Sequence, residues 1–156
     1  MEQLQALHAS SFAAALRDPT LYPFVNAGHI LSLAVLVGSI ATLDLRVLGS
    51  FRAVPLAHLG PVLSRMAAIG LGFTLVTGFL LFSVRPAAYA QNPAFLAKLV
   101  LMALGILNAA VVHRLSYWRT ATRGGEVHPS LKVSAGLSLT IWISAVICGR
   151  WIAFIE

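Results

Sequence analysis

Four long apolar segments alternate with short polar ones along the chain. They cover residues 23–49, 61–84, 93–113 and 130–152, and as α-helices rising ~1.5 Å per residue each is long enough to cross a ~30 Å hydrocarbon core. The separating loops hold the turn-forming residues Pro55, Gly60 and Gly124-Gly125. Pro61 suits the first turn of the second span, and Asn92 and Ser130 are expected to cap the third and fourth spans. We therefore predict an all-α polytopic membrane protein, a four-transmembrane-helix bundle in which residues 1–156 form a single integral membrane domain.

The segment before the first span has a different pattern. In residues 3–17, apolar side chains recur at roughly helical spacing with Gln, His and Ser between them, and Asp18-Pro19 ends the pattern. This predicts a short N-terminal amphipathic helix on the membrane surface. The segment lacks a basic stretch followed by an apolar run and a cleavage site, so we do not expect a cleaved signal peptide.

Composition and charge agree with the membrane assignment and suggest an orientation. The chain is 58% hydrophobic and 10% charged, with a formal net charge of +6. Seven of the eleven Lys and Arg residues fall at one set of span ends: Arg46, Arg52, Arg65, Arg114, Arg119, Arg123 and Lys132. The positive-inside rule makes those ends cytoplasmic. We therefore expect a bacterial inner-membrane protein with both termini in the periplasm, and no nucleic-acid partner.

Ionisable residues appear at matching intervals in the first and third spans. His29 and Asp44 are fifteen residues apart, and so are Lys98 and His113. Because both spans cross in the same direction, His29 and Lys98 should share one membrane level, and Asp44 and His113 the other. Ionisable side chains inside spans are costly and often functional, so we predict two polar layers that face inward.

His29 is the best candidate for a cofactor ligand. Neutral imidazole is a common axial ligand of haem iron, and bundle cores hold cofactors between facing helices. The alternative is a buried histidine hydrogen-bonded to a neighbouring helix. Lys98 either binds a carboxylate, such as a porphyrin propionate, or extends its ammonium group to the membrane interface.

The second layer also has two interpretations. A contact between Asp44 and His113 would orient the imidazole or stabilise its cation. Alternatively, Asp44 pairs with Arg46 or another basic residue, and His113 is interfacial. His29 and His113 are the candidate metal ligands. The lone Cys148 excludes a disulfide framework and a cysteine-based metal motif.

Small residues recur on two of the spans. Ala68 and Gly72 are four apart in the second span, as are Thr74 and Gly78. In the fourth span the same spacing joins Gly136, Thr140, Ser144 and Cys148. Such stripes favour close packing of membrane helices, and a flat cofactor is the alternative neighbour for the second stripe.

The segments GHILSLAVLVGSIATLDLRVLG and NPAFLAKLVLMALGILNAAVVHR together resemble those of small bacterial four-span proteins of unknown function. The chain is also distantly similar to CopD-type copper-resistance membrane proteins and HemJ-type membrane protoporphyrinogen oxidases, which share an early-span histidine and a third-span lysine. The oxidase resemblance implies a four-helix bundle with haem or porphyrin bound near His29 and Lys98.

Together these observations predict a membrane protein that binds haem b or a related porphyrin for redox chemistry or electron transfer. His29 would be the axial ligand, and Lys98, His113 and Asp44 would complete the cofactor site. A copper-handling or transport protein and a structural subunit of a membrane complex are the alternatives. Partners would be the lipid bilayer and a redox partner, complex subunits or a second copy. No motif for hydrolysis or nucleotide binding is present, so catalytic residues are not identified.

Overall fold

The computed structural model describes residue 5 and residues 11–155. Every regular element in that part of the chain is helical. The elements are α1 (Ser11–Leu16), α2 (Leu21–Leu48), α3 (Leu56–Val84), α4 (Pro86–Gln91), α5 (Pro93–Arg114), α6 (Ser116–Ala121), α7 (Pro129–Trp151) and a final 3₁₀ turn (Ile152–Phe154).

Four of these helices, α2, α3, α5 and α7, are long and apolar enough to cross a membrane. Their large hydrophobic side chains are mostly exposed on the protein surface, as lipid-facing side chains would be. The predicted all-α four-helix bundle is confirmed. Two short helices, α4 and α6, occupy segments that we expected to be loops.

Helix ends follow local sequence signals, with two differences from expectation. Asn92 caps α5 as predicted, since its Oδ1 accepts from the N–H groups of Ala94 and Phe95 at 3.0 and 3.2 Å. Helix α3 begins at Leu56, so Pro61 lies within its second turn rather than at its start. The cap of α7 is His128 rather than Ser130, because His128 Nδ1 accepts from the Ser130 N–H at 3.2 Å.

The four long helices do not all contact one another. Helix α2 packs closely on α3 and also on α7, and α7 packs on α5. Helices α3 and α5 do not pack along their length. They meet near their ends, where the Phe82 and Phe95 rings stack at 5.5 Å and His113 Nε2 lies 3.1 Å from Ser64 Oγ. Between these side-chain contacts the two helices make no close backbone approach.

Two glycines set the closest helix approaches. A Cβ on Gly70 would lie 2.7 Å from the backbone nitrogen of Leu36, so α2 and α3 touch backbone to backbone here. A Cβ on Gly105 would lie 2.8 Å from the Trp142 ring, which packs flat between α5 and α7.

The small-residue pairs predicted from sequence divide into two groups. Thr74 is buried against α2 and a Cβ on Gly78 would lie 3.3 Å from His29 Cε1, so this pair lies on the α2–α3 contact, whereas the pair Ala68 and Gly72 and the stripe on α7 do not form the main packing faces. Ala68 and Gly72 are exposed, and a Cβ on Gly72 would meet nothing within 4 Å. Gly136 likewise has open space beside it, and Thr140 is exposed. The buried face of α7 is instead formed by Leu131, Ala135, Ser138, Ile141, Trp142 and Ala145.

The two ends of the bundle differ in character. At the end that we call the tyrosine end, α2 begins near Tyr22 and α3 passes into α4 near Tyr89. At the opposite, basic end, Trp118 and Ala121 of α6 pack in an apolar cluster with the buried Val47, Leu56, Leu131 and Ala135.

Of the predicted N-terminal helix, the structure describes residue 5 and α1, and the other positions lie outside the described residues. Ala13 and Leu16 are buried, and α1 packs mainly on α3.

Candidate functional site

His29 lies in the third turn of α2 and faces α3. Its Nδ1 is 2.8 Å from Thr77 Oγ1. The Thr77 hydroxyl donates to the Phe73 carbonyl at 2.6 Å, and its single hydrogen is used there. Thr77 therefore accepts from His29 Nδ1–H, which assigns the lone pair of the neutral ring to Nε2. No hydrogen bond to Nε2 is made by the described residues.

The surroundings of His29 combine a close glycine with a short polar chain. A Cβ on Gly78 would lie 3.3 Å from His29 Cε1, so glycine leaves room for the ring between α2 and α3. Ser32 donates to the His29 carbonyl at 2.8 Å, and the buried Thr74 donates to Ser32 Oγ at 3.1 Å. The bond between Thr74 and Ser32 joins α2 to α3 one turn away from the imidazole.

Lys98 projects from α5 into the bundle at the same level. Its side chain runs along α7, where a Cβ on Gly149 would lie 3.3 Å from Lys98 Nζ. Its positive charge is near enough to interact with His29. His29 and Lys98 thus lie at one level of the bundle, within electrostatic range of each other.

Asp44 has a different partner from those considered in the sequence. It interacts with the side chain of Ser138, a buried residue of α7, and its Oδ2 is buried with no hydrogen-bond partner in the described part of the chain. Arg46 instead donates to the Val54 carbonyl at 2.7 Å. Asp44 therefore lies beside α7.

His113 is fully engaged by other groups. Its Nδ1 is 2.8 Å from the Ala109 carbonyl, and so donates, which leaves Nε2 to accept from Ser64 Oγ at 3.1 Å. The ring also packs on Trp118 at 4.9 Å between centroids. The expected contact between Asp44 and His113 is not formed, because Asp44 lies beside Ser138 of α7 and His113 is bonded to Ser64 of α3.

Polar residues that the sequence reasoning passed over complete the layer around Asp44. Asn108 Nδ2 donates to the Ser134 carbonyl at 3.2 Å, and Ser134 Oγ donates to Asn108 Oδ1 at 2.8 Å. Ser134 is one turn from Ser138 on α7. An amide within an apolar span was the available signal for this pair, as were Thr77 and Ser32 for the His29 layer.

The described residues contain no group of three or more His, Cys, Asp or Glu side chains that could hold a metal ion. A haem needs fewer protein ligands, because the porphyrin supplies four nitrogens. Of the sequence candidates, His29 and Lys98 are brought together, and His113 and Asp44 are separate from them and from each other.

A family model matches residues 19–155, which include every helix described here except α1. The chain belongs to DUF6644, a family of unknown function. Nothing in that match links it to CopD-type or HemJ-type proteins. No curated protein and no solved structure matches the chain.

Proposed function

We propose that this DUF6644 protein binds haem b or a related porphyrin within the membrane, with His29 as an axial ligand. The observation that carries the proposal is the hydrogen bond between His29 Nδ1 and Thr77 Oγ1 at 2.8 Å. Metal-binding histidines usually donate their other ring N–H to a protein acceptor, which fixes the tautomer and the ring orientation. His29 has this arrangement, with Nε2 left to bind iron.

The residues near His29 support the proposal. Helices α3 and α5 make no close backbone approach between the Phe82–Phe95 and Ser64–His113 contacts, and both spans are largely apolar. Lys98 supplies a positive charge that suits a propionate carboxylate. A bound haem would supply one-electron redox chemistry, and the protein would orient it and exclude water.

Among the described histidines, His29 is the one placed beside Lys98 to hold the iron of a haem. His113 and His128 lie at the basic end and already have hydrogen-bond partners, and His58 lies at the first turn of α3 at the same end.

The proposed setting is the bacterial inner membrane, with the basic end in the cytoplasm. His29 and Lys98 would then lie toward the periplasm, and electrons would pass to or from a partner at that face. Copper handling and a structural role remain the competing functions.

The test is titration of haem into the purified full-length protein, with copper measured in parallel on protein that has not been given haem. Saturable binding of about one haem per chain, with a Soret band distinct from that of free haem, supports the proposal. Stoichiometric copper without haem binding would favour the copper function. Protein that binds neither would be a structural subunit.

A further inference from the structure

A half-open cavity lies at the tyrosine end, above the His29–Thr77 pair on the same two helices. Its volume is about 670 Å³, within the ~300–1,000 Å³ typical of small-molecule sites. It is lined by Arg17, Pro19, Tyr22, Pro23, Val84, Arg85 and Tyr89. Val84 is the last residue of α3 and Tyr22 the second of α2, so the cavity lies at the level of the lipid headgroups.

Both charged side chains in the cavity lining are arginines, so the lining carries positive charge. Arg85 makes no ion pair with the described residues, and its charge acts on the neighbouring Tyr89. Arg17 is oriented by the hydrogen bond from its Nε to the Ala13 carbonyl at 3.2 Å. The nearby Asp18 accepts from the Thr20 N–H at 2.7 Å, and this bond lowers the pKa of its carboxyl.

The two tyrosines add a hydrogen-bond donor. Their side chains lie near enough to interact. Each carries an O–H that can donate to a ligand. Burial and, to a smaller extent, the neighbouring Tyr22 raise the pKa of the Tyr89 hydroxyl, which is therefore protonated at neutral pH. The cavity thus presents cationic and hydroxyl donors together.

The distribution of basic residues makes these arginines unusual. Seven of the eleven Lys and Arg residues lie at the basic end, and the tyrosine end has only Arg17, Arg85, Lys98 and Arg150. Two of those four line one cavity. Orientation in the membrane favours few positive charges at this end, and no ion pair with the described residues accounts for Arg85.

We propose that this cavity binds the phosphate group of an anionic membrane lipid. Guanidinium groups bind phosphate through paired, charge-assisted hydrogen bonds, and a tyrosine hydroxyl adds a third donor. The open side of the cavity lies where a lipid headgroup already resides, and the exposed Phe24 and Leu21 beside it suit the acyl chains. The proposal does not depend on haem binding.

The test uses the purified full-length protein in a neutral detergent, with its thermal unfolding followed as ligand is added. The probes are short-chain phosphatidylglycerol, short-chain phosphatidylcholine and inorganic phosphate. Arg85→Gln and Tyr89→Phe remove donors from the cavity. Arg150→Gln is the matched control, because Arg150 lies at the same end but packs on Phe154 at 4.9 Å, outside the cavity.

We expect phosphatidylglycerol to stabilise the wild type and Arg150→Gln saturably, with an apparent affinity about tenfold weaker in Arg85→Gln and a smaller loss in Tyr89→Phe. Equal effects of phosphatidylcholine, or equal losses in Arg85→Gln and Arg150→Gln, would overturn the proposal. Inorganic phosphate that acts as strongly as the lipid would overturn the lipid assignment and leave a free-anion site. Haem titration of Arg85→Gln separates this result from the proposed function, since haem binding should be unchanged.

Discussion

His29 Nδ1 and Thr77 Oγ1 lie 2.8 Å apart, and the bond joins α2 to α3 across forty-eight residues of sequence. The Thr77 hydroxyl uses its own hydrogen on the Phe73 carbonyl, so the imidazole must be the donor. This hydrogen bond fixes the tautomer of His29 and leaves its Nε2 unprotonated. It is the part of the structure on which the proposed cofactor site depends.

Replacement of Thr77 tests this relationship. Thr77→Val keeps the shape but removes the acceptor, so the His29 tautomer is no longer fixed and haem affinity should fall about tenfold. Thr77→Ser retains the hydroxyl and should bind haem nearly as the wild type does. Equilibrium haem titrations of the two variants provide the comparison, and equal affinities would show that Thr77 does not orient the ligand.

The contact of α2 with α3 at Gly70 gives a prediction about stability. A Cβ there would meet the Leu36 backbone at 2.7 Å, and backbone cannot move aside cheaply. Gly70→Ala should therefore destabilise the protein by about 1–3 kcal/mol. Gly72→Ala is the matched control, because a Cβ on Gly72 meets nothing within 4 Å.

Thermal unfolding in detergent would compare these two alanine variants. Gly72→Ala should be neutral or slightly stabilising, because alanine favours the helix more than glycine does. If both variants unfold at the same temperature, the close approach at Gly70 is not present in the membrane protein.

The Asn108–Ser134 pair should be energetically coupled. The two reciprocal bonds of 3.2 and 2.8 Å join α5 to α7, and α5 has few other buried contacts. A double-mutant cycle with Asn108→Ala and Ser134→Ala should give a coupling energy of about 0.6–1.7 kcal/mol. Additive effects of the two substitutions would indicate that the side-chain bond from Ser134 contributes nothing.

Hydropathy and helix signals were enough to predict the four spans, because apolar length and caps such as Asn92 are local properties. They also indicated that His29 and Lys98 share a level, since that follows from equal depth in two parallel spans. The partners of Asp44 and His113 were not accessible in this way. Depth alone does not say which way a side chain points, and helix packing turned Asp44 toward Ser138 and His113 toward Ser64.

The same limit explains the small-residue stripes. Spacing of four identified the pair Thr74 and Gly78, which does lie on the α2–α3 contact, but it equally identified Gly72 and Gly136, which do not pack closely. Rotation of each helix about its axis decides which of these faces is buried. The closest approaches are instead at Gly70 and Gly105, because Leu36 and Trp142 of neighbouring helices lie directly against them.

Membrane orientation is a separate prediction. The basic residues at one end should lie in the cytoplasm, which leaves both termini in the periplasm. A phosphatase fused after residue 155 should be active and a cytoplasm-dependent fluorescent reporter should be dark. Fluorescence from the C-terminal fusion would reverse the orientation and move His29 to the cytoplasmic side.

The absorption spectrum of purified His29→Ala beside that of His113→Ala tests the central claim most directly. Both variants remove one imidazole from the bundle, but His113 already binds Ala109 and Ser64 through its two nitrogens. After haem is added, His113→Ala should keep the Soret band of the wild type and His29→Ala should lose or shift it. A wild-type protein that stays colourless, or a His29→Ala variant with an unchanged Soret band, would contradict ligation of haem by His29.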